Sequence, residues 1–180
     1  MKYYMPLILS VLIGVVACLV GCISQPQNPA HDAMLSLPWE QFDQSTNSGW
    51  RTLAFTDRGA PRDYRAAADM IEAYLRQHPE LKVDQRAVSR FHVGQLLAMD
   101  GLTKAGAANM KQALVPEDTP DLPADWNIMV SATIAFLTGD RATLVHLKEQ
   151  VASLPPSRVK WPNNIDFLLE HWGQPYGHFR

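Results

Sequence analysis

Apolar side chains recur three and four positions apart along most of this chain, and no stretch carries convincing two-residue alternation. That periodicity puts the apolar residues on helix faces rather than strand faces, so it confines the chain to an all-α fold. Tyr64, Ala67, Ala68, Ile71, Tyr74 and Leu75 fall on one face, and the helix they define ends at His78-Pro79, because proline disfavours helical geometry in the residue before it. Asp84 is the candidate cap of the next helix, with Val88, Phe91, Val93, Leu96, Leu97 and Met99 as its apolar positions. Asp100-Gly101 closes that helix, since glycine takes positive φ at low cost. Thr103 opens a short helix containing Ala107, Met110, Ala113 and Leu114, and an acidic, proline-rich stretch follows from Val115 to Pro123. A further helix is predicted from about Ala124 to Leu137, stopped by Gly139-Asp140. The next has Leu144, Leu147, Val151 and Leu154 on one face and ends at Pro155-Pro156. A last helix is expected from about Asn163 to Trp172.

Upstream the pattern is less regular. Pro38 suits a first helical turn, with Trp39, Phe42, Trp50, Leu53 and Phe55 as apolar anchors and Thr46-Asn47-Ser48-Gly49 as an expected break. Asp57-Arg58-Gly59-Ala60-Pro61 reads as a turn.

The first two dozen residues differ in kind. Lys2 precedes the apolar run Met5 to Ala17, the arrangement of a secretory signal peptide. The run closes on Leu19-Val20-Gly21-Cys22, which resembles the lipobox of bacterial lipoproteins. The resemblance implies that Cys22 receives a diacylglycerol, that the chain is cut before it, and that its new amino group is acylated. It also implies outer-membrane sorting, since Ile23 rather than Asp follows the cysteine. The alternative is an uncleaved membrane anchor over Tyr3 to Ile23, but that stretch is barely long enough and contains Pro6, Ser10 and Gly14. The expected organisation is therefore a signal peptide over residues 1–21, the lipidated Cys22 and a flexible tether over 22–37, and one helical domain over 38–180. Cleavage before Cys22 would leave 15 Lys and Arg against 18 Asp and Glu, too acidic and too evenly spread for nucleic-acid binding. Cys18 and Cys22 are the two cysteines of the chain, so the domain beyond them can hold neither a disulfide nor a thiolate zinc site.

Helix, glycine turn, helix, then proline recurs. Gly59, Gly101 and Gly139 mark the turns, 42 and 38 residues apart. The segment Phe91 to Gly101, followed by Gly106, Met110, Ala113 and Leu114, resembles a tetratricopeptide repeat: small residues seven before and five after the turn glycine, then a large apolar residue, then Ala and Leu. Both intervals exceed the family's repeat of about 34 residues. In the third hairpin Leu144 and Lys148 depart from the pattern. The expectation is an array of about three helical hairpins plus a C-terminal helix covering the exposed end, and an irregular bundle is the other arrangement the pattern allows.

The repeat resemblance implies a concave groove, lined by the first helix of each pair, that holds a peptide or a partner helix. Carried across from Gly101 it assigns Phe91, Gln95 and Met99; from Gly139 it assigns Trp126, Met129, Thr133 and Phe136. A one-residue shift of register would turn these into core. No Gly-x-Ser-x-Gly elbow, phosphate loop, dinucleotide motif or His-Glu-x-x-His occurs. His171 and His178 could join a metal site, but a tail packing its aromatics on the bundle is the simpler reading; His92 and His146 read as polar residues at packed edges. Glu117, Asp118, Asp121 and Asp125 lack calcium-loop spacing and read as solvated acids before a helix N-terminus. The expectation is a non-catalytic lipoprotein, without cofactor or metal, facing the periplasm and binding another envelope protein or peptide as a scaffold or adaptor of a secretion, pilus or cell-wall complex. An immunity or inhibitor lipoprotein neutralising a periplasmic toxin or hydrolase is the alternative.

Overall fold

A computed structural model describes residues 29–56, 62–117 and 119–178. The signal peptide, Cys22, the turn at 57–61 and Asp118 lie outside the described residues. The fold is all-α, with no strand element among the described residues. Its helices are α1 Pro29–Leu35, α2 Arg51–Ala54, α3 Tyr64–Gln77, α4 Val83–Met99, α5 Thr103–Lys111, α6 Trp126–Thr138, α7 Arg141–Ser153 and α8 Asn164–Glu170. A π-helical turn covers Glu40–Gln44, and 3-10 turns cover Pro156–Arg158 and Tyr176–His178.

Local chemistry sets the helix ends. The Asp63 carboxylate accepts from the Ala66 backbone N–H at the start of α3. Asp140 accepts from the N–H and hydroxyl of Thr143 at the start of α7, satisfying a donor the helix leaves open. These bonds hold the exposed Asp140 carboxyl below its ordinary pKa. Asp84 is not the cap of α4: it lies in the first turn, while the Lys82 N–H donates to the Gln85 side chain. The expected break after Phe42 is present, because Gly49 takes φ +59° with its Cα beside the Phe42 backbone, where any Cβ would collide.

Consecutive helices pack on one another from α2 through α7. The tightest pairing is α4 on α5. A Cβ on Gly94 would stand 2.4 Å from Met110 Cγ, and one on Gly106 would stand 2.6 Å from the Gly94 carbonyl oxygen. The small residues are therefore there because two backbones meet. Met110 and Ala113 are fully buried beside this contact, but Leu114 is exposed; α5 stops at Lys111, which takes Leu114 out of its helical register.

Two expectations are corrected. Residues 29–35 are helical, with Leu35 buried and Met34 and Leu37 packed on the α3 core, and the Leu37 carbonyl accepts from the Tyr74 hydroxyl at 2.8 Å. The segment expected as tether up to residue 37 thus belongs to the folded body from Pro29, because Leu35 and its neighbours gain apolar cover that periodicity alone does not reveal. The C-terminal segment also does more than cover the last hairpin. α8 packs on α6 and α7, and the turn at Tyr176–His178 reaches back to α4.

Candidate functional site: an aromatic cleft between α4 and α6

The segment before α3 carries residues that bring polar chemistry to α4. Asp43 is fully buried. Its Oδ1 accepts from Trp50 Nε1 at 3.3 Å and pairs with His92 Nδ1 at 3.0 Å; its Oδ2 accepts from Gln44 Nε2 at 2.6 Å. Burial alone would raise the Asp43 pKa, but His92, Arg51 and the Gln44 bond outweigh it and hold the carboxyl below its ordinary value. An ionised Asp43 fixes the His92 ring with Nδ1–H as donor, which leaves Nε2 as its other polar atom. Arg51 lies over the Trp50 ring, 4.1 Å from its centroid. Burial lowers the Arg51 pKa and the Asp43 charge partly restores it. Its Nη1 is buried and finds no acceptor among the described residues.

These groups form one end of a cleft of about 490 Å³. Its walls are Trp39, Val88 and Phe91 on one side and Trp126, Met129 and Trp161 on the other, with Arg51, His92, Gln95, Asp84 and Lys160 as polar points. The aromatic wall is a chain of edge contacts: Phe91 meets Trp126 at 5.6 Å between centroids, and Trp126 meets Trp161 at 6.1 Å. Trp126 Nε1 donates to the Ala113 carbonyl at 2.9 Å, and Trp39 Nε1 to the Ser89 hydroxyl at 3.2 Å, so the rings are held by their polar edges. Asp125 is buried, unlike the solvated acid expected there. Its Oδ2 accepts from the backbone N–H groups of Lys160 and Trp161, both at 3.0 Å. It thereby fastens the loop that carries the far wall.

The seven residues assigned to a groove divide here. Phe91, Gln95, Trp126 and Met129 line the cleft. Met99, Thr133 and Phe136 do not. Thr133 is fully buried and bonds the Met129 carbonyl within its own helix. Phe136 packs under Trp172 and Tyr176, at 5.7 and 6.1 Å between centroids. Met99 packs with the same cluster, its backbone against Gly177. The tail itself fills that half: Tyr176 is buried, and its hydroxyl accepts from Gln95 Nε2 at 3.1 Å. The open cleft is what the tail leaves uncovered. His171 Nδ1 lies 2.8 Å from the Phe167 carbonyl and its ring packs on Phe167, while His178 is exposed. No cluster of three metal-ligating side chains occurs among the described residues, and none of their helices is long and apolar enough to cross a membrane.

Sequence reasoning missed Asp43, Arg51, Trp39 and Trp161. The available signal was aromatic: Trp39, Trp50 and Trp161 all stand outside the regular hairpins, where a large ring must find a partner from elsewhere in the fold. No family model, no curated protein and no solved structure matches the chain.

Proposed function

We propose that this chain is a lipid-anchored envelope adaptor that holds a segment of a partner protein in the α4–α6 cleft and performs no chemistry on it. One observation carries the reading: four residues assigned to a groove from the repeat resemblance, Phe91, Gln95, Trp126 and Met129, line a single open aromatic cleft. Tryptophan, phenylalanine, methionine and arginine are the side chains that concentrate binding energy at interfaces. The anchor rests on Leu19-Val20-Gly21-Cys22, with Ile23 favouring the outer membrane and the domain facing the periplasm. Cys22→Ser is expected to abolish incorporation of a labelled fatty acid and leave the precursor uncut. A photo-crosslinking side chain at Gln95 is expected to join the protein to an envelope protein in cells, and one at the exposed Ala108 is not. Adducts of equal yield at both positions, or none at Gln95, would remove the adaptor reading.

A further inference from the structure

The cleft is polar at both ends, with the Arg51 guanidinium at one and the Asp84 carboxylate toward the other. His92 and Gln95 follow Asp84 along the face of α4 that lines it. Asp84 and His92 are eight residues apart, about 12 Å along a helix axis. Arg51 stands at the His92 end, since it lies over Trp50, whose ring is 5.1 Å from that of His92. Asp121 joins Asp84 in the cleft wall, 3.9 Å from the Lys82 ammonium.

The Arg51 end lacks a counter-ion of its own kind. Asp43 is the nearby anion, but its oxygens are taken by Trp50, His92 and Gln44, and Arg51 feels it through space without a hydrogen bond. Arg51 lines the cleft while the Asp43 oxygens are engaged elsewhere, so an incoming oxygen anion would give the guanidinium the hydrogen-bonding partner that Asp43 does not. A guanidinium is planar and matches a carboxylate's two oxygens. With Asp84 and Asp121 in the same cleft, a single negative charge is better accommodated than a phosphate dianion. Beyond Arg51 the walls are aromatic, suited to an apolar side chain.

We propose that the cleft binds the free C-terminus of a partner polypeptide, with the terminal carboxylate at Arg51, an apolar last side chain laid against the joined Phe91 and Trp126 rings, and a basic residue toward Asp84. An extended chain advances about 3.3–3.6 Å per residue, so the 12 Å between the two ends sets that basic residue three positions before the last. The proposal rests on the α4–α6 cleft being the binding groove, and it is independent of the lipid anchor.

The test uses the full chain in detergent and the N-acetylated tetrapeptide Lys-Ala-Leu-Phe, as the free acid and as the C-terminal amide, read by the protein's tryptophan fluorescence. The free acid is expected to bind saturably and at least roughly tenfold tighter than the amide, the contribution of one charge-assisted hydrogen bond. Arg51→Gln is expected to equalise the two, and Lys104→Gln, which removes an exposed cation of α5 outside the cleft, to leave the preference intact. Magnetisation-transfer contacts from the peptide's terminal ring are expected at Phe91 and Trp126, which locates the site even if Arg51→Gln does not fold. Equal binding of acid and amide, binding of neither, or contacts elsewhere on the protein overturns the proposal. If a Gln95 crosslink to an envelope partner persists in that case, the adaptor reading survives and only the carboxylate chemistry falls.

Discussion

Replacing Gly106 with alanine tests the packing that holds the cleft's two walls in register. The new Cβ would stand 2.6 Å from the Gly94 carbonyl oxygen and 3.1 Å from the Ala98 nitrogen. Both neighbours are backbone atoms of α4, so neither can rotate away. Ordinary carbon–oxygen contact begins at about 3.3 Å, so α4 and α5 must separate by several tenths of an ångström along a fully packed seam. Overpacking of this kind costs up to about 3 kcal/mol. Alanine recovers about 1 kcal/mol of helix propensity in the middle of α5, and the net loss is about 2 kcal/mol. For a chain of this size that corresponds to about 4–8 °C in the thermal midpoint. Urea unfolding of the full chain followed by circular dichroism measures it. Ala108→Gly, at an exposed position of the same helix, isolates the propensity effect at about 1 kcal/mol. The reasoning is refuted if Gly106→Ala stabilises the protein by its propensity gain, since that would mean the two backbones do not meet.

Further outcomes follow from the buried polar groups. Asp43→Asn removes the carboxylate that holds His92, Trp50 and Gln44 and is expected to cost about 3 kcal/mol in urea unfolding; a loss under about 1 kcal/mol would show that the cluster is not coupled to folding. Because the Asp43 pKa is lower in the folded protein than in the unfolded chain, its contribution is complete above the ordinary carboxylate pKa and is lost as pH falls from there through the folded value. Wild type is therefore expected to lose more stability on acidification than Asp43→Asn, and parallel pH profiles would contradict this. Tyr74 is pushed up to about 12, chiefly by burial and also by Glu80, Glu40 and Asp43. Its contribution is intact below the ordinary tyrosine pKa and disappears as pH rises through that value toward 12; ultraviolet titration of Tyr74→Phe against wild type should show one late-titrating phenol missing. A reducing agent is expected to leave the thermal midpoint unchanged, as no cysteine follows Cys22, and a shift would point to a disulfide between Cys18 and Cys22 or between chains.

Local information was sufficient where a residue's neighbours in space are also its neighbours in sequence. The three-and-four spacing placed α3, α4, α6 and α7, and the termination chemistry of Pro79, Gly101, Gly139 and Pro155 bounded them closely, because helix ends are set by the few residues that make or break the last turn. Gly94 and Gly106 were also legible, since their positions about a turn glycine are a matter of counting. Other features depended on contacts over long separations, on which periodicity is silent. Leu35 and Leu37 could join the core only because Tyr74 and His78, some forty residues away, provide a surface and a hydrogen-bond donor and ring for them. Counting from Gly101 and Gly139 assigns Phe91, Gln95, Trp126 and Met129, which line the cleft, together with Met99, Thr133 and Phe136, which do not. What separates the covered half from the open half is Tyr176 and Trp172 folding back across it. Asp43 and His92 lie 49 residues apart, and the buried acid becomes tolerable only when this distant base joins the nearby Trp50 indole in bonding it. The chain's own order thus determined that it is all-α. The closure of the tail and the N-terminal segment onto α4 decided which surface stayed open and gave it charge.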